Sequence, residues 1–331
     1  MGLQMVMGKR EGIWFEDAYT GLRLINCHCN GGVFSLGHCN PRVSGAVGAQ
    51  LGKLDIGNHH FVSGQRAELA ARLAATFDDA LPRVVFGVSG GEATDVAIKA
   101  ARGATGRSTI VSAVGGYHGH TGLALAAGDP QFRDPFGSNL PGFVQVPFND
   151  PSAMEAVIDD RTAAVILEAI PATLGMPIPA PGYFRAIREL CDRHGAFLLI
   201  DEVQTGLGRT GRWWGIQHED IRPDAIVVGK GLSGGIYPIT ATLMTRDMHE
   251  VLDSEANPFV HISTFGGSEL GCVAAQAVLD IVGEAGFFDR VCELSERFAE
   301  AFEPLPFELR RRGLFMGLRF AGENLSLIHI S

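Results

Sequence analysis

An α/β fold with a mainly parallel sheet follows from three features of this 331-residue chain. Short apolar runs rich in Val and Ile recur without polar alternation, the pattern of strands buried on both faces. Each run leads into a polar or Gly-rich turn. Helical patterns lie between the runs, and that alternation argues for parallel strands joined by crossover helices. In chain order, Val84–Val88 precedes Ser89-Gly90-Gly91, and Thr109–Val114 precedes Gly115-Gly116-Tyr117-His118. Ala163–Leu167 precedes Glu168, Ala196–Ile200 precedes Asp201-Glu202, and Ala225–Val228 precedes Gly229-Lys230. A helix is predicted over Glu92–Arg102, where Ala93, Val96, Ala97, Ala100 and Ala101 share one face. A second, over Gly182–His194, starts after Pro181 and stops at Gly195, a common pair of start and stop signals. Internal repeats and low-complexity linkers are absent from the sequence.

Composition narrows the function classes. Hydrophobic residues at 46% and charged residues at 19% describe a globular chain, and the length sets a prior of about two domains. Glycine, at 43 residues, is about twice its average usage, which implies many turns or close backbone approaches. The net charge is 27 − 37 = −10, which argues against nucleic acid and anionic membrane as partners. No run approaches the ~18 uncharged apolar residues of a membrane span. Met1 to Arg10 carries no apolar signal core, so a cytoplasmic location is expected. Six cysteines make no disulfide framework. Cys27, Cys29 and Cys39 lie near His28 and His38, but the cysteine spacing of structural zinc sites is missing. Ligands one residue apart on a strand would also face opposite ways. Scattered reduced thiols are the simpler reading, and no metal is expected.

Ser89, Glu168, Asp201 and Lys230 each follow a different apolar run. Ligands of open α/β sheets bind beyond the carboxyl ends of the strands, so these four residues are expected to meet in one crevice. Most lysines are solvated surface charges. Lys230, at a strand end between Gly229 and Gly231, is placed differently. Burial there disfavours its ammonium form, and a neutral amine can form a Schiff base with a carbonyl substrate or with pyridoxal phosphate (PLP). Asp201 follows Phe197-Leu198-Leu199-Ile200, where a carboxylate is costly unless paired. A PLP pyridinium nitrogen is one such partner; a turn-capping role is the structural alternative. Ser89-Gly90-Gly91 precedes a helix, where free backbone N–H groups and the helix dipole favour phosphate. That turn alone fits a dinucleotide fold equally well. Tyr117 is placed either to stack on a flat ring or to fill core.

Taken together these residues resemble the class III, or ω-type, PLP-dependent aminotransferases of fold type I. The central match runs from Leu198-Leu199-Ile200-Asp201-Glu202-Val203-Gln204-Thr205-Gly206 through Leu207-Gly208-Arg209-Thr210-Gly211. It continues through Pro223-Asp224 to Gly229-Lys230-Gly231-Leu232, Gly234-Gly235 and Pro238. Leu36-Gly37-His38 with Pro41, Ser89-Gly90-Gly91-Glu92-Ala93, Tyr117-His118-Gly119-His120-Thr121 and Ser263-Thr264-Phe265-Gly266-Gly267 support it, so that the resemblance spans roughly Gly12 to Phe320. It implies that Lys230 forms the internal aldimine and shuttles a proton, and that Asp201 partners the pyridinium. Val203 and Tyr117 would cover the two ring faces, and Gln204 the ring hydroxyl. Gly90 and Gly91 would hold the phosphate. Thr264 would reach the phosphate of a neighbouring subunit. Ser89, His118 and Glu168 complete the expected cofactor-binding set. The implied activity is ping-pong transamination between an amine donor and a 2-keto acid in a homodimer or larger homo-oligomer. The implied fold is a large domain with a mostly parallel seven-stranded sheet plus a small α+β domain. Residues 1–50 would begin the small domain, 51–285 form the large PLP-binding domain, and 286–324 start the C-terminal part of the small one.

Departures from the family pattern carry information. Gly91 stands where relatives usually have Ser or Thr. His120 stands where ornithine-type and acetylornithine-type members have Arg, and Thr173 where they have Glu. A histidine cannot copy the planar two-point carboxylate binding of Arg, which weakens an ornithine-like assignment. Leu325-Ser326-Leu327-Ile328-His329-Ile330-Ser331 resembles the translation of a transposon-end adapter. The reading frame is therefore expected to be interrupted near Asn324, with the keto-acid-binding Arg on a missing segment. An aminomutase or racemase of the same fold is the alternative activity, which product analysis separates. An inactive fragment is a further alternative. A nucleotide-dependent dehydrogenase is disfavoured, since no G-x-G-x-x-G opens an early βαβ unit.

Overall fold

The computed structural model describes residues 5–320, except His59, Ser138 and Pro258. Residues 321–331, and with them the adapter-like tail, lie outside the described residues. The strands are β1 (Met7–Glu11), β2 (Trp14–Asp17), β3 (Arg23–Ile25), β4 (Arg83–Gly87), β5 (Thr109–Ala113) and β6 (Phe143–Val146). They continue with β7 (Thr162–Glu168), β8 (Phe197–Asp201), β9 (Ala225–Val228), β10 (Thr240–Met244), β11 (Phe307–Arg312) and β12 (Phe315–Phe320). β1 to β3 form a small antiparallel sheet, and β11 pairs with β12 as a hairpin. Between them stands a seven-stranded sheet in the order β4-β10-β9-β8-β7-β5-β6. β10 runs antiparallel to both neighbours, while β9-β8-β7-β5-β6 are parallel throughout. The mostly parallel seven-stranded sheet of fold type I is thus present.

All seven residues of β7 and all four of β9 are buried, as their unbroken apolar character requires. Alternate residues of β8 feed opposite layers. Leu198 and Ile200 join the core with Leu73, Phe184 and Trp214, whereas Leu199 joins the one with Ala97, Ile98 and Ala101. Full burial of one such Leu or Ile stabilises by roughly 1.5–3 kcal/mol. The helix Gly90–Thr105 supplies the second layer. Its N-cap Ser89 accepts from Glu92 N, the Glu92 carboxylate reaches back to Val88 N at 2.7 Å, and left-handed Gly106 ends it. The helix Tyr183–His194 is likewise capped at its end by Gly195. Among the described residues no single helix is long and apolar enough to cross a membrane.

Candidate active site

The sheet brings its strand ends together. Glu168 and Asp201 are the last residues of adjacent parallel strands and lie in register with each other. Lys230 follows β9 after one glycine and adopts a left-handed backbone, φ +43°. A non-glycine residue holds that conformation only when its surroundings fix it, and such positions concentrate at functional sites. The turn Ser89-Gly90-Gly91 opens toward the same place from the end of β4. These groups line one cavity of about 350 Å³, together with Tyr117, His118, His120, Val203, Gln204 and two residues given no role from sequence, Gly119 and Thr121. Thr264 does not line it and is exposed. Thr173 does not line it either, because its hydroxyl is turned to the carbonyl of Gly115 at 2.6 Å. No group of three or more metal-ligating residues occurs among the described residues, and Cys29 is buried while Cys27 and Cys39 are exposed.

Polar contacts order the cavity floor. His118 Nδ1 lies 2.9 Å from Asp201 Oδ2, both side chains being buried, and Asp201 Oδ1 accepts from Val203 N at 3.0 Å. Burial opposes charge on His118, but the hydrogen bond and charge of Asp201, with Glu168 behind it, hold its pKa above the usual value. Glu168 Oε1 accepts the backbone N–H of Tyr117 at 2.9 Å. Burial pushes the Glu168 carboxyl up to about 7; His118 and Lys230 restrain the rise, and Asp201 adds to it. Lys230 Nζ makes a long contact of 3.4 Å with Gln204 Oε1. Its pKa is lowered, first by burial and then by the nearby Arg209 charge, against the pull of Asp201 and Glu168.

This donor set suits a phosphorylated pyridine aldehyde. The backbone N–H groups at the start of a sixteen-residue helix favour a phosphate. A buried carboxylate locked by His118 suits a protonated ring nitrogen. An amine whose ammonium form is disfavoured by burial suits a carbonyl carbon. A Cβ on Gly90 would stand 3.3 Å from Val203 Cγ1, so glycine keeps the space between turn and side chain open.

Comparison with known proteins agrees. The sequence profile of the class III aminotransferases matches residues 2–327. An uncharacterized aminotransferase of Archaeoglobus fulgidus is 51% identical over 329 residues, covering 98% of this chain and 77% of the relative. An acetylornithine aminotransferase of Methanopyrus kandleri is 39% identical, covering 95% and 80%. Among solved structures, the ornithine aminotransferase of Toxoplasma gondii superposes with a TM-score of 0.89 at 29% identity, over 96% of this chain and 78% of that one. The taurine:2-oxoglutarate aminotransferase of Bifidobacterium kashiwanohense, in complex with PLP and glutamate, superposes with a TM-score of 0.88 at 27% identity, over 96% and 78%. On fold, strand-end chemistry and sequence alike, the chain belongs to the class III aminotransferases, PLP-dependent enzymes that move an amino group between an amine and a keto acid.

Proposed function

We propose that Lys230 is the cofactor lysine and proton carrier of this aminotransferase, and that Asp201 is its ring-nitrogen partner. The carrying observation is a lysine in left-handed backbone at a strand end, its amine buried in the cavity that Asp201 and the Ser89-Gly90-Gly91 turn also line. PLP, when bound, supplies the electron sink that makes the donor's α-proton removable. Lys230 Nζ, whose pKa is lowered first by burial, would take that proton and return it on the other side of the exchange. Asp201, held by His118 at Oδ2 and by Val203 N–H at Oδ1, would pair with a protonated ring nitrogen. Gly90 and Gly91 present backbone N–H groups to the phosphate, with Ser89 capping the helix behind them. Val203 and Tyr117 would enclose the ring, and Gln204, in long contact with Lys230 Nζ, would hold its hydroxyl. Glu168 fixes the Tyr117 backbone.

The donor is a primary amine or amino acid and the acceptor a 2-keto acid, in a ping-pong cycle. The same reading divides the chain into 1–50, 51–285 and 286–324, which the separate sheets β1–β3 and β11–β12 on either side of the large sheet support. It places the enzyme in the cytoplasm as a homodimer, Thr264 of each chain serving the other's phosphate. His120 rather than Arg lines the cavity, and its lack of two-point carboxylate binding would disfavour ornithine and acetylornithine.

The test is reduction of the PLP-loaded chain with borohydride, followed by peptide mass analysis. A pyridoxyl group on the Lys230 peptide is expected, absent in Lys230→Ala, with turnover lost. A label on another lysine, or an unchanged rate in the variant, overturns the reading.

A further inference from the structure

Arg209 is an unusual residue to find behind an active-site lysine. Its side chain is only 5% exposed, and it faces no carboxylate at hydrogen-bonding distance among the described residues. Instead Nη1 donates to the carbonyl of Gly32, 177 positions earlier in the chain. A Cβ on Gly32 would stand 2.0 Å from that nitrogen, and one on Gly231 would stand 2.9 Å from Nη2. Both glycines are therefore shaped to the guanidinium. Gly231 directly follows Lys230. Gly32 follows Gly31, where a Cβ would lie 3.5 Å from Lys230 Cε. Cys29, Asn30, Gly31 and Gly32 all carry positive φ, so this roof over the lysine is a tight left-handed turn that needs an anchor. Arg209 touches the roof on one side and the lysine's own turn on the other.

We propose that Arg209 is a positioning residue for Lys230: its buried guanidinium clamps the Gly31-Gly32 roof to the Lys230-Gly231 turn and sets a fixed positive charge behind the lysine's amine. Charge and clamp work together. A like charge within a buried site disfavours a second one. The groups that face Lys230 are Asp201 and Glu168, which favour its ammonium form, with Gln204 at hydrogen-bonding range and His118 hydrogen-bonded to Asp201, its pKa raised by that carboxylate. Arg209 is the counterweight to the two carboxylates. Burial lowers its own pKa to about 10, which still leaves it cationic at neutral pH. The clamp also explains why glycines occupy positions 32 and 231: a Cβ at either would run into the guanidinium.

The proposal rests on Lys230 being the cofactor lysine, but its test uses the cofactor-free chain, so the two ideas fail separately. The pH dependence of Lys230 acetylation by acetic anhydride is followed by peptide mass analysis, with exposed Lys53 as internal reference. Arg209→Gln keeps a donor for Gly32 and loses the charge. Its Lys230 midpoint is expected to rise by about one pH unit, the size of a like-charge interaction across several ångströms of buried space. Arg209→Met is expected to shift the midpoint equally and also to speed amide hydrogen exchange in residues 28–35. Arg209→Lys should restore a midpoint close to the parent's. An unchanged Lys230 midpoint in cooperatively melting Arg209→Gln overturns the proposal, as does unchanged exchange over residues 28–35 in Arg209→Met. Should neither neutral variant fold, the parent decides: a Lys230 midpoint no lower than that of Lys53 removes the effect that the proposal explains and overturns it.

Discussion

Asp201 and Glu202 are consecutive buried carboxylates with opposite tasks, because successive side chains at a strand end point to opposite faces. Asp201 turns to the cavity and His118. Glu202 turns away and receives Thr205 Oγ1 at 2.5 Å, Gly215 N at 2.9 Å and Ile216 N at 2.7 Å, which pins the chain after β8 beneath the site. Burial pushes Glu202 up to about 7 despite those donors. A folded pKa raised above the unfolded value means that the folded state holds the proton longer. The stability that Glu202 contributes is thus fully present below about 4.5 and is lost as pH rises through about 7. In Glu202→Gln an amide N–H₂ would meet the backbone donors. The expected loss is about 1–3 kcal/mol, as for a buried group left unsatisfied. The gap in unfolding free energy between parent and variant should be widest near pH 5 and narrow toward pH 8, as urea melts at the two pH values would show. A gap that widens with pH would mean the carboxylate is ionised throughout.

At the scale of elements, the phosphate turn shows how a departure in sequence is absorbed. Gly91 lacks the hydroxyl expected at its position, and a Cβ there would stand 2.7 Å from Thr121 Oγ1. The neighbouring segment has moved into the room: a Cβ on Gly119 would come within 2.5 Å of Gly91 Cα. Gly91→Ala is therefore expected to act as overpacking, costing about 1–3 kcal/mol and loosening PLP retention. Thermal melting with and without PLP measures both, and a variant as stable and as well loaded as the parent would show that Thr121 yields freely. Gly91 itself was legible as part of a Gly-rich turn; the partner that fills its space was not. The same division runs through the fold. β7, β8 and β9 could be read because strands buried on both faces are written as unbroken apolar runs. β10, Thr-Ala-Thr-Leu-Met, alternates with threonine and left no such mark, so the antiparallel insertion beside β9 was missed. The three-stranded sheet and the β11–β12 hairpin were equally silent, because β1 is mostly exposed and β11 is half-buried and rich in charge. Lys230, Asp201, Glu168 and Ser89 were legible from their places after strands. Arg209 was quoted within a family run yet carried no assignment, since its meaning depends on Gly32, which only tertiary folding brings near.

For the whole molecule, the question is what covers its apolar face. Phe61 is 72% exposed, Val62 98%, Phe259 55% and Phe265 57%. They belong to two chain segments drawn together, with the rings of His60 and Phe259 5.4 Å apart and a broad groove between them. Lys99 Nζ meets His261 Nδ1 at 2.9 Å and ties the second segment to the helix that carries the phosphate turn. Contiguous aromatic surface of this kind suits an interaction site rather than ordinary solvent-facing surface, and the proposed second copy of the chain is the occupant that would also account for Thr264. That residue is exposed in this same segment and absent from its own chain's cavity. Sedimentation is expected to give twice the 35.3 kDa chain mass. Phe259→Glu with Phe265→Glu should shift it toward the monomer, by a loss on the order of 2 kcal/mol or more per buried aromatic anchor. A mixing experiment carries the argument to the site itself. Lys230→Ala chains cannot fix PLP, and Thr264→Ala chains should retain it poorly. In a hybrid dimer the cavity with intact Lys230 faces the partner that has intact Thr264, so one complete site is rebuilt. Borohydride-fixed PLP on Lys230 should then recover well above either variant alone after subunit exchange. If Thr264 served its own chain, each hybrid would hold two defective sites and mixing would restore nothing.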